Sequence, residues 1–135
     1  SSHPVKHMVT NLAVVGNRNF YDYGLLDGHI DDWVEENGHI DLIICGGASG
    51  TDYLAERWSD NNAVPVLIFH EEWSNTRPGL IDSGRGEAAY TLTQKIIQAA
   101  THLIAFPGGD SVWTLRTIEL ARDKGLHVTV HEVES

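Results

Sequence analysis

The chain has 135 residues, 41% of them apolar, a single cysteine and a formal charge of −10. That length suits one domain with its own core. No apolar run of about 18 residues is present to cross a bilayer, and nineteen acids against nine bases leave no basic stripe for a nucleic-acid backbone.

Ser1–His7 carry no apolar centre of a signal peptide and read as an extraneous or disordered start, with one domain over 8–135. Met8–Val15 reads as a first strand. "LLDGHIDDWVEEN" follows, with Leu26, Ile30, Trp33 and Val34 on one helical face and Asp27, Asp31, Asp32, Glu35 and Glu36 as a solvated acidic face. "IDLIICG" is a second strand. "DYLAERWSDNN" is a helix whose Leu54, Ala55 and Trp58 line up. "VPVLIF" is a third strand. His70–Ser83 is a long connection holding Trp73, Arg77 and Pro78, and "EAAYTLTQKIIQAA" is the third helix. "HLIAF" is a fourth strand, "VWTLRTIELARDKG" a helix with Gly125 at its end, and "HVTV" a short last strand. Alternation of this kind predicts an α/β class domain, a Rossmann-like parallel sheet of about five strands with helices on both faces. Right-handed crossovers favour the order 3-2-1-4-5.

Three polar or Gly-rich turns follow strands: Gly16-Asn17-Arg18, Gly46–Asp52 ("GGASGTD") and Pro107–Ser111 ("PGGDS"). Parallel strands put all three on one edge, with the topological switch point between strands one and four, where open α/β sheets bind ligands. Glycines there let backbone N–H groups approach a ligand, and the helix starts behind them favour an anion. Ser49, Thr51 and Ser111 are candidate hydroxyl donors. Asp52 reads as a helix-start residue first, and as an acceptor for a ribose hydroxyl or a base second. Arg18, Arg77 and Arg85 are candidate phosphate ligands, and Trp73 a candidate base-stacking side chain. Cys45 ends a strand with no readable basic partner, and reads as core rather than nucleophile. Its being alone excludes an internal disulfide and fits a reducing, cytoplasmic setting. His127 and His131 share a strand face, a weak pair for a metal; no metal and no cofactor are expected.

The segments "VVGNRNFYD", "CGGASGTDYLAERW", "EEW" and "IAFPGGDS-x-x-T" resemble the YspA-type proteins of the SLOG superfamily. That group is similar to the Lonely Guy phosphoribohydrolases, the lysine decarboxylase-like proteins and the Rossmann core of DprA. The resemblance runs from about Val9 to Val130. It implies a fold that binds nucleotides or nucleotide-derived ligands. By motif match, Gly46, Gly47, Gly50 and Asp52 correspond to a first ligand loop, and Pro107, Gly108, Gly109, Ser111 and Thr114 to a second. The chain departs from the phosphoribohydrolase pattern P-G-G-x-G-T-x-x-E. Trp113 precedes the threonine, Thr117 stands where the glutamate belongs, and Glu119 is rotated about 200° from that place on a helix. "DSGRGEAAY" keeps Arg85 of a further YspA-like pattern but lacks its asparagine.

The sequence therefore points to a protein that binds a nucleotide or nucleotide-derived small molecule and self-associates as a dimer or higher homo-oligomer. Trp33, Trp58 and Trp113 on helices are the apolar surface expected to make that contact. One alternative is a nucleotide N-glycosidic hydrolase with Asp52, Glu87 or Glu119 as its acid. Another is a protein-interaction or DNA-processing module like the DprA core, although the charge argues against direct contact with nucleic acid.

Overall fold

In the computed structural model, the described residues are 9–17, 19–47, 50–69, 85–108 and 112–133, with the side chains of 85–91 and 112–113 outside that description. Nine elements follow one another: β1 (Asn11–Gly16), α1 (Tyr23–Asn37), β2 (Leu42–Gly46), α2 (Thr51–Asn61), β3 (Val66–Phe69), α3 (Arg85–Ala99), β4 (His102–Phe106), α4 (Val112–Asp123) and β5 (His127–Val130). The strands form one sheet in the order β3-β2-β1-β4-β5, and all four pairings are parallel. Class and strand order are those expected.

Strands buried on both sides read as unbroken apolar runs because alternate residues serve opposite cores. Leu12, Val14, Ile43, Cys45, Ile104 and Phe106 pack under Leu26, Ile30 and Trp33 of α1 and under Leu54, Ala55 and Trp58 of α2. Ala13, Val15, Ile44, Leu103 and Ala105 face the other way, toward Ile96 and Ile97 of α3 and Ile118 and Ala121 of α4. Trp33 and Trp58 are each only 3% exposed. Neither supplies the apolar surface expected for self-association, because the strand order puts α1 and α2 on one face and their indoles fill it. Trp113's side chain lies outside the described residues.

Element ends shift where caps decide them. Helix α1 begins two residues before the expected Leu25, because the Asp22 carboxylate accepts the Leu25 N–H at 3.1 Å. Tyr23 is then fixed from α2: Asn61 Nδ2 donates to its hydroxyl at 2.9 Å, and the Arg57 guanidinium lies 4.7 Å from its ring. Helix α4 gives way to Gly125 in the left-handed region, with φ +82.

Candidate functional site

The ends of β1, β2 and β4 set the three turns on one edge. Register places Gly16 opposite Phe106, and Gly46 opposite Phe69. The described parts of the turns are Gly16–Asn17, Gly46–Gly47 with Gly50–Asp52, and Pro107–Gly108. Arg18, Ser49, Trp73, Arg77, Gly109 and Ser111 lie outside the described residues, as do the side chains of Arg85 and Glu87.

Asn17 knots the turns together. Its N–H donates to the Phe106 carbonyl at 3.0 Å, tying the β1 turn to the end of β4. Its carbonyl accepts from the Phe20 N–H at 3.2 Å, the Thr51 N–H at 3.1 Å and the Thr51 hydroxyl at 2.9 Å, tying the same turn to the start of α2. Its Oδ1 accepts the Asn19 N–H at 2.8 Å. Asn17 is buried and Thr51 completely so. The Thr51 hydroxyl proton is thus committed inside the protein.

Two glycines follow from this knot. A Cβ at Gly16 would stand 2.6 Å from Thr51 Oγ1 and 2.7 Å from the Phe106 carbonyl. A Cβ at Gly108 would overlap the Asn17 side-chain amide, 2.9 Å from its Cγ. A larger residue at either position would force a shift, against the Phe106 carbonyl at 16 and against the Asn17 side chain at 108, because the turns touch. Gly50, the N-cap of α2, has φ +71, a conformation that favours glycine.

Asp52 stands in the first turn of α2, where its charge suits the helix dipole. Gly50, rather than Asp52, is the cap. The Asp52 carboxylate leans over the end of β2, with Oδ2 2.9 Å from where a Gly46 Cβ would be. Burial pushes the Cys45 thiol up to about 12, with the Asp52 and Glu56 carboxylates adding to the rise. Cys45 is a core residue in an environment opposite to that of a nucleophile. On α4, Thr114 and Thr117 are buried, and the Thr117 hydroxyl lies 3.4 Å from that of Thr93 on α3. Glu119 is exposed. The position that holds a glutamate in the hydrolase pattern therefore points into a helix–helix contact.

Among the described residues, large apolar side chains stand exposed near this edge. Tyr21, Leu25, Tyr53 and Leu115 all stand exposed there, before or within the first turns of α1, α2 and α4. A separate open groove of about 810 Å³ runs along the outer flank of α2 beside β3, lined by Tyr53, Glu56, Asp60, Val64, Pro65 and Val66. It shares Tyr53 with the first turn of α2 and contains no turn glycine.

His127 and His131 do share a face, but four residue steps of extended chain place them roughly 13 Å apart. Each ring meets a different partner: His127 the ring of His102, and His131 that of His29. Among the described residues no group of three or more His, Cys, Asp or Glu is placed to hold a metal ion. No described helix is long and apolar enough to cross a membrane.

Searches of curated proteins and of solved structures gave no match. A family model does match, over residues 10–75, a span that takes in β1, α1, β2, α2 and β3 with the first two turns. That model is the YspA, cpYpsA-related SLOG family, and over this stretch, just under half of its length, the chain is a YspA-like SLOG protein.

Proposed function

We propose that this protein binds a nucleotide or a nucleotide-derived small molecule at the carboxyl edge of the sheet, between the turns after β1, β2 and β4. The observation that carries this reading is the Asn17 knot, which holds the three turns together at the switch point where open α/β sheets take ligands. With the Thr51 N–H and hydroxyl both taken by Asn17, an anion would be met by backbone N–H groups among Gly46, Gly47, Gly50, Asp52 and Gly108, with Pro107, which has no N–H, shaping the second turn. Arg18, Ser49, Arg85, Gly109 and Ser111 would complete the set. Gly16, Asn17, Thr51 and Thr114 would act from behind, shaping the turns. Asp52 would accept from a ribose hydroxyl or a base, and Trp73 or the exposed Tyr21, Tyr53 and Leu115 would meet the base. A self-associating, cytoplasmic protein belongs to the same reading.

The reading favours binding over hydrolysis, because Thr117 faces Thr93 and Glu119 stands exposed elsewhere on α4. The test is a melting-temperature screen of nucleoside monophosphates and ADP-ribose, with chromatography of the incubated ligands. A ligand at a hundred times its dissociation constant stabilises by about 2.7 kcal/mol, roughly 10 °C for a domain of this size. A shift with intact ligand supports the proposal. Release of free base at turnover would move it to the hydrolase. No shift across the screen would reject it.

A further inference from the structure

Histidines tie the edge strand β5 at both ends to the α1 side of the sheet. At its start, the His127 ring lies 5.8 Å from that of His102, which itself meets Trp33 edge-on at 5.4 Å. Just past its end, the His131 ring stacks on His29 of α1, with centroids 3.9 Å apart and planes 20° apart, and also on Phe106 at 5.9 Å. The backbone there closes on the candidate site. The His131 N–H donates to the Ala105 carbonyl at 2.8 Å, and the Val133 N–H to the Pro107 carbonyl at 3.0 Å. Pro107 and Gly108 form the turn that rests on Asn17.

We propose that His131–Val133 is an acid-released strap: at neutral pH the stacked His29–His131 pair seals it over the Pro107–Gly108 turn, and protonation of the pair opens it. Two imidazoles stacked face to face are compatible when neutral, and repel when both are charged. Among the described residues, the groups facing His131 are His29, Asp32 and Glu36 on α1 and the uncharged Phe106 on β4; Glu132 is next to it in the chain. Burial lowers the His131 pKa below its ordinary 6.5 and His29 lowers it further, against an opposing pull from Asp32 and Glu36. Burial and His127 likewise lower that of His102. Groups depressed in the folded state are charged more readily in the open one. The stability they contribute is complete above 6.5 and is lost as pH falls through the depressed values. The effect of opening on ligand affinity rests on the function proposed above; the strap itself is a property of the unliganded chain.

The experiment is amide hydrogen exchange on the ligand-free protein at about pH 7.5 and about pH 5.5, either side of histidine's ordinary range and corrected for intrinsic rates. The His131 and Val133 amides should lose about tenfold or more of their protection at the lower pH, while the β1 amides keep theirs. His131→Phe keeps a stacking ring that cannot charge, and should hold protection at both values. His39→Gln, at an exposed position, should behave as the parent does. Unchanged protection in the parent, or equal loss in His131→Phe, would overturn the strap. If His131→Phe fails to fold, NMR decides it in the parent: the His131 ring and the Val133 amide must titrate with one midpoint, and separate midpoints reject the proposal.

Discussion

A methyl group at position 108 tests whether the turns touch. In Gly108→Ala the new Cβ would overlap the Asn17 side-chain amide and come within 2.9 Å of Cγ and 3.2 Å of Cβ, so rotating the amide tip alone does not clear it. The rest of Asn17 is held by the Phe106 carbonyl, by three donors on its own carbonyl and by Asn19 on Oδ1. Overpacking of this kind costs about 1–3 kcal/mol. Asn17→Ala alone gives up the bond from the Asn19 N–H to Oδ1, about 1 kcal/mol. In the double variant the methyl enters the space the amide left, so the two costs should not add. The expected coupling is about 1–2 kcal/mol in the favourable direction, well outside the 0.3–0.5 kcal/mol scatter of independent sites. Urea unfolding of the four proteins measures it. Costs that add within that scatter would mean that the β1 and β4 turns do not meet as described.

Gly16→Ala should be the more damaging change, at about 3 kcal/mol or more, because the Phe106 carbonyl at 2.7 Å is backbone and cannot step aside; Asn17→Ala should not rescue its melting temperature. Thr51→Val should cost about 0.5–1.5 kcal/mol in urea by removing the hydroxyl bond to the Asn17 carbonyl, which keeps its two N–H donors, and Thr51→Ser should recover most of it. Gly28→Ala, in the middle of α1 with nothing within 4 Å of the added carbon, should raise stability by about 0.5–1 kcal/mol, whereas Gly38→Ala, at φ +98, should lower it. The Cys45 thiol, pushed up to about 12, should resist alkylation near pH 8 in the folded protein and react once it is unfolded.

The sheet was legible in the sequence because its strands are short apolar runs between helical periods. "LIIC" and "VLIF" read by composition as strands buried on both sides, and the turn glycines mark where the strands stop; "LIIC" is buried so, whereas "VLIF" is the edge strand β3, which leaves Val66 and Leu67 exposed. What joins the turns was not legible. The bonds from Thr51 to the Asn17 carbonyl span 34 residues and use a backbone acceptor, so neither side chain advertises them. Thr51 looks from its sequence like a donor waiting for a ligand. Gly16 and Gly108 look like places for a ligand to approach; the sequence does not show that a Cβ at either would meet Thr51 and Phe106, or Asn17. The histidines misled in a related way. Strand periodicity pairs His127 with His131, but the topology brings α1 across to β5 and gives His131 to His29 instead. Trp33 and Trp58 appeared surplus to one sheet face until the strand order put both helices above the same six strand residues.

The most direct test of the account is a titration of AMP, and separately of ADP-ribose, into isotope-labelled protein, followed by amide chemical shifts. The prediction is saturable shifts at Gly16, Gly47, Gly50, Asp52 and Gly108 on the carboxyl edge, with Gly38, Ala63 and Gly125 at the opposite ends of the helices unmoved. Shifts confined to the Tyr53–Val66 groove, or no shifts with either ligand, would contradict it.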